Sequence, residues 1–189
     1  MPVSLDMKRP SLTPFIVSFI TVLGTLTAHS KPIALHIAPR TTNPNIREID
    51  NSAHLALLDP DATARNQLVV FLPGTDLKPS GSMDFLRTAA AMGFHTIGLM
   101  YENEGTVGDA CADQDDAECS RAARIEIIEG INTTTVESID PANSIVGRLT
   151  SLLSYLQRNA PEFGWDQYMN EAGNPRWDKI IISGFSQGA

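Results

Sequence analysis

Trp177-Asp-Lys-Ile-Ile-Ile-Ser-Gly-Phe-Ser-Gln-Gly-Ala189 decides how the rest of this chain is read. Ile180, Ile181 and Ile182 form a β-branched run, the composition expected of a strand buried on both faces of a parallel sheet. Gly184-Phe185-Ser186-Gln187-Gly188 follows at once and fits G-x-S-x-G. At the end of a buried strand this pattern predicts a sharp turn that exposes a serine Oγ, with Ser186 the candidate nucleophile. Gly184 and Gly188 are expected where side chains would collide with the backbone packed beside the turn. Outside that context the pentapeptide is ordinary loop composition; the preceding apolar run gives it weight.

Upstream, Gln67-Leu-Val-Val-Phe-Leu72 reads as a second buried strand running into Pro73-Gly74-Thr75. Gly74 permits close backbone approach there, and Thr75 is placed to present its N–H. Ser80 or Ser82 is a candidate cap for a helix carrying Met83, Phe85, Leu86, Ala89 and Ala90 on one face, with Gly93 ending it. Phe94-His-Thr-Ile-Gly-Leu-Met-Tyr101 reads as the next strand and completes a βαβ unit. Earlier, Ile33-Ala-Leu-His-Ile37 and His54-Leu-Ala-Leu-Leu58 read as edge strands joined by turns. Asp140-Pro141 predicts a helix start, and Ile145, Val146, Leu149, Leu152, Leu153 and Leu156 recur at helical spacing behind it. Residues 102–139 break this rhythm with Asp109, Asp113, Asp115, Asp116 and Glu118 around Cys111 and Cys119. A solvated loop tied by a Cys111–Cys119 disulfide is the expected reading, with a short helix over 120–129 left open. The acidic residues lack the spacing and turn glycine of a calcium loop, and two thiolates without a nearby histidine do not close a zinc shell, so no metal site is read. Asn132-Thr133-Thr134 is a glycosylation sequon.

The chain has 189 residues, 42% of them hydrophobic, and a formal charge of −8. That is enough for one domain with a core, and the acidic balance excludes a nucleic-acid partner, which needs a basic face. Lys8 and Arg9, an apolar stretch over 15–28 and Ala28-His29-Ser30 have the form of a signal peptide, so residues 1–30 are expected to be cleaved. The apolar stretch is shorter than the ~20 residues a spanning helix needs, so no stable membrane anchor is expected. Residues 31–189 are then the N-terminal part of one domain in an exported protein, periplasmic or extracellular.

Over residues 68–189 the order of elements resembles the α/β-hydrolase superfamily, in particular secreted bacterial lipase- and esterase-like members. Gly-Phe-Ser-Gln-Gly is similar to the elbows of carboxylesterases, acyl-protein thioesterases and cutinases, and Pro-Gly-Thr to a loop of certain fungal lipases. Pro73 departs from the His-Gly motif common in that position. The resemblance implies a mostly parallel α/β sheet with helical crossovers, truncated after the nucleophile strand. It further implies an oxyanion hole from the N–H groups of Gln187 and Thr75, with the Thr75 hydroxyl as an added donor. The implied activity is that of a serine hydrolase on small carboxylic esters without a cofactor, its acid and histidine lying beyond Ala189. His36, His54 and His95 precede the elbow and are not expected to act as the base. A non-catalytic binding protein of the same fold, or a defunct truncated product, are the other readings the residues allow.

Overall fold

The computed structural model describes residues 31–47 and 52–189; the expected signal peptide lies outside them. Five strands form one sheet in the order β1-β2-β4-β3-β5: β1 Ile33–Ile37, β2 His54–Leu58, β3 Leu68–Leu72, β4 His95–Gly98 and β5 Ile180–Gly184. β2 is antiparallel to both β1 and β4, whereas β3 runs parallel to β4 and β5. The sheet is therefore mixed, with a meander at one side and a parallel half at the other, rather than mostly parallel. β2 is also interior, paired on both sides and buried throughout, not the edge strand its sequence suggested.

Connection length explains the two halves. After β3 the chain passes through a 3-10 turn at Pro79–Ser82 and a helix, Met83–Ala91, before β4, which is long enough to return parallel. A four-residue helix at Pro39–Thr42 (α1) precedes β2, and the helix after β3 is α2. Ser82 occupies the N-cap position of α2 without a side-chain cap bond, and Leu86, Ala89 and Ala90 are the residues it buries. Gly93, at φ +89, ends the helix where a Cβ would overlap the Thr63 carbonyl.

Three helices lie between β4 and β5: α3 Val107–Ala110, α4 Cys119–Glu129 and α5 Ile145–Asn159. α5 starts later than Asp140-Pro141 predicted. Asp140 instead closes a turn, its Oδ1 accepting from the Ala142 and Asn143 N–H groups, and Ser144 Oγ caps the helix by accepting from Gly147 N–H at 3.0 Å. Its apolar face packs with α4 and the Leu68, Val70 and Leu72 side of β3, while α2 covers Leu55, Leu57 and Phe71 on the other side.

Arg148 is fully buried on that otherwise apolar face of α5. Its Nε donates to the Asn143 carbonyl at 3.0 Å and its Nη2 to Asn143 Oδ1 at 3.1 Å, and Glu102 Oε1 lies 3.7 Å away. Buried charge is tolerable only with this kind of pairing.

β5 departs most from expectation. Ile181 is 40% exposed and Ile182 49%, so the isoleucine run is not buried on both faces. β5 pairs with β3 along one edge only, and among the described elements no strand pairs with its other edge. Its β-branched composition still suits an extended strand; burial is the part that needs neighbours.

Candidate functional site

In a parallel sheet the C-terminal ends of adjacent strands release their loops side by side, where side chains from separate segments converge. Leu72 at the end of β3 is in register with Gly184 at the end of β5. Pro73-Gly74-Thr75 and Phe185-Ser186-Gln187 therefore leave the sheet together. The Phe185 N–H donates to the Leu72 carbonyl at 3.2 Å, extending the pairing one step before both chains turn.

Ser186 turns with φ +54, a left-handed backbone that non-glycine residues adopt rarely. A 3-10 turn at Ser186–Gly188 follows, closed by Gly188 N–H to the Phe185 carbonyl and Ala189 N–H to the Ser186 carbonyl, both at 3.0 Å. The Ser186 side chain is exposed and its hydroxyl has no hydrogen-bond partner among the described residues. Both predicted glycines are required by space. A Cβ on Gly184 would overlap the Gly188 carbonyl, and one on Gly188 would overlap the Leu72 carbonyl. Gly74 is also crowded, though less: its Cβ would sit 2.9 Å from Phe185 O and 3.0 Å from Ser186 Cβ. The β3 loop thus lies directly against the serine.

Thr75 and Gln187 are brought together, but one expected detail changes. The Thr75 hydroxyl donates to Gln187 Oε1 at 3.3 Å, so its proton is engaged and is not a third oxyanion donor. The Thr75 N–H, by contrast, has no partner among the described residues. Gln187 is held on two further sides: its Oε1 accepts from Val107 N–H at 3.2 Å, and its carbonyl from Arg124 Nη1 at 3.2 Å.

Those contacts come from the segment read as a solvated loop. The Cys111–Cys119 disulfide is formed and joins the end of α3 to the start of α4, so Val107 and Arg124 belong to one tied strap across the turn. α4 answers the open question over 120–129, and the strap makes the insertion part of the site. Tyr101 and Asn103 are further residues that sequence reasoning missed. The Tyr101 hydroxyl donates to the Pro73 carbonyl at 2.8 Å. Burial pushes the Tyr101 pKa up to about 12, with Arg124 opposing, so this donor keeps its proton. The Asn103 amide reaches the Gly74 and Leu77 carbonyls. No motif marks either residue, because their partners are backbone carbonyls remote in sequence.

Two cavities adjoin Gln187. One of about 240 Å³ is mostly apolar, with Leu72, Ile127, Ile145 and Ile182 in its wall. The other, about 190 Å³, is faced by Glu102, Glu104 and Glu137. Burial raises the Glu102 and Glu137 carboxyls above their ordinary range; Arg47 and Arg148 oppose the shift at Glu102, whereas Glu126 adds to it at Glu137.

None of the three described histidines is positioned as a base for Ser186. His36 is exposed on β1, at the far edge of the sheet. His54 is fully buried on β2 and accepts from Met100 N–H at Nδ1 (3.0 Å), so its proton sits on Nε2. His95 begins β4 at the opposite end of the parallel strands from Ser186. There its Nε2 donates to the Phe163 carbonyl at 2.7 Å and its Nδ1 accepts from the Tyr168 hydroxyl at 2.8 Å, with Trp165 edge-on. Both are structural clamps. Among the described residues no group of three or more His, Cys, Asp or Glu is placed to hold a metal ion, and no helix is long and apolar enough to cross a membrane.

Together these residues form a strand–turn bearing an accessible hydroxyl, an adjacent unengaged N–H and a supporting strap. No protein-family model matches this chain, and neither a curated protein nor a solved structure matches it.

Proposed function

We propose that this chain carries the nucleophile and oxyanion half of an α/β-hydrolase-like serine esterase acting on small carboxylic esters. The observation that carries the reading is Ser186 in a left-handed backbone at the end of a parallel strand, with the Gly74 loop seated against its Cβ. Backbone held off the common regions is expensive and persists where the surroundings impose it, often at reacting groups. In the proposed reaction the Ser186 Oγ bonds to the ester carbonyl carbon. The oxygen that becomes negative is met by the N–H groups of Thr75 and Gln187, and the alcohol leaves with a proton as the acyl-enzyme forms. Water then attacks the acyl-enzyme, releases the acid and returns the proton to Ser186. No described histidine is placed near the hydroxyl, so this reading calls for a base from outside the described residues. The Cys111–Cys119 disulfide supports an exported protein, for which an oxidising compartment is the ordinary setting.

The test is hydrolysis of short p-nitrophenyl esters by the natively expressed protein and its Ser186→Ala variant. Loss of roughly 10³-fold or more in kcat/KM is expected, the scale on which removing a catalytic serine acts. Undiminished turnover in the variant, or none in either protein, would reject the assignment; the latter favours a binding role.

A further inference from the structure

We infer that Asn103 is a positioning residue that aims the Thr75 N–H at the reacting oxygen; this rests on the serine-hydrolase reading above. Asn103 follows β4 and is only 1% exposed, yet it makes three hydrogen bonds to the β3 loop. Its Nδ2 donates to the Gly74 carbonyl at 2.5 Å and to the Leu77 carbonyl at 3.0 Å, and its own carbonyl accepts from Asp76 N–H at 3.0 Å. The loop is a tight turn in its own right, with Leu77 N–H donating to the Gly74 carbonyl at 3.0 Å and Asp76 at φ +57. Asp76 Oδ1 in turn accepts from Gly105 N–H at 3.2 Å, so the two loops are laced from both sides.

The decisive geometry is that of one peptide unit. In a trans peptide the C=O of residue 74 and the N–H of residue 75 point in opposite directions across a rigid plane. No peptide bond described here is cis. Fixing the Gly74 carbonyl onto Asn103 and Leu77 therefore fixes the Thr75 N–H to point away from Asn103. That N–H has no partner among the described residues. The same glycine lies against Ser186 Cβ, which puts the oriented peptide beside the nucleophile. A preorganised donor contributes to catalysis because it needs no reorientation as charge develops. Asn103 supplies that preorganisation without touching substrate. Its Oδ1 is buried without a hydrogen-bond partner, so the side chain is tied to the loop through its Nδ2 donor alone.

Asn103→Asp keeps the shape and replaces the amide donor with an oxygen facing two carbonyls. In the natively expressed protein, with active sites counted by fluorophosphonate titration, kcat per site should fall roughly 10- to 100-fold while KM stays within about twofold. Asn103→Ser, which keeps one donor, should fall less. A merely structural residue would lower the number of active sites and leave kcat per site unchanged; that result overturns the inference. Failure of both variants to fold also counts against it, since Asn103 would then serve the fold as a whole. Loss of turnover in Ser186→Ala with unchanged kcat in Asn103→Asp sinks this inference alone. Retained turnover in Ser186→Ala sinks the serine reading, and this inference with it.

Discussion

A left-handed backbone at Ser186 costs on the order of 1–3 kcal/mol, and the residues around it hold the serine there. Phe185 is anchored to Leu72, the 3-10 turn closes behind the serine, and Gly184 and Gly188 leave only backbone-sized space. The glycines and serine were legible in the sequence because their spacing encodes a steric requirement. His54 was not: nothing in its strand run signals that it would be wholly enclosed beside Arg148. Burial, with Arg148 adding, depresses its pKa from 6.5 to about 3. The unfolded chain therefore takes up a proton near pH 6.5 that the folded chain refuses until about 3. Stability contributed by neutral His54 is complete above pH 6.5 and is lost as pH falls through that window, at about 1.4 kcal/mol per pH unit. His95 is shifted in the same direction, again chiefly by burial. Met100 N–H donates to His54, and the Arg148 guanidinium is the charge that disfavours its protonation. Urea unfolding from pH 7 to 4 should be steeper in pH for the native chain than for His54→Asn, which retains an acceptor for Met100 N–H. Identical profiles would mean that His54 is protonated in the fold.

At the scale of elements, periodicity located what local chemistry determines. β3 lies where its unbroken apolar run put it, and α2 and the apolar face of α5 where helical spacing did, because that spacing follows directly from backbone geometry. The start of α5 was misplaced: Asp140 accepts two N–H groups and closes a turn, and the helix is capped further on by Ser144. The burial of β5 was overread, since β-branched composition reports strand preference and not the presence of neighbours. The strap from α3 to α4 was the largest omission. Its acidic composition is that of a solvated loop, yet Val107 and Arg124 reach Gln187 from opposite sides of the disulfide. Closing so short a loop stabilises by restricting the unfolded chain, about 2–3 kcal/mol by loop entropy. The double variant Cys111→Ser/Cys119→Ser should lose about that much in urea unfolding. A loss below about 0.5 kcal/mol would show that α3 and α4 hold together without the bond.

Across the whole molecule the sheet separates two environments. Its α4–α5 face is the larger core and contains Trp165 and Tyr168, whereas α2 covers a smaller cluster around Leu86. On the antiparallel side β2 is buried between β1 and β4 with α2 over it, while the edge strand β1 is only partly buried, and the parallel side ends in β5 with Ile181 and Ile182 partly open. The loops that converge on Ser186 leave from the parallel side, so the candidate chemistry sits where two strands end together. An α/β class was legible from alternating strands and helices, but the mixed pairing depends on which strands meet, a long-range property that residue patterns do not carry. The central claim is that this arrangement activates a serine for covalent attack. It is tested most directly by treating the natively expressed protein with a fluorophosphonate probe and mapping the adduct by mass spectrometry. A single adduct on Ser186, absent after denaturation before labelling and absent in Ser186→Ala, is the predicted result. An unlabelled folded protein, or a probe carried on another residue, would contradict it.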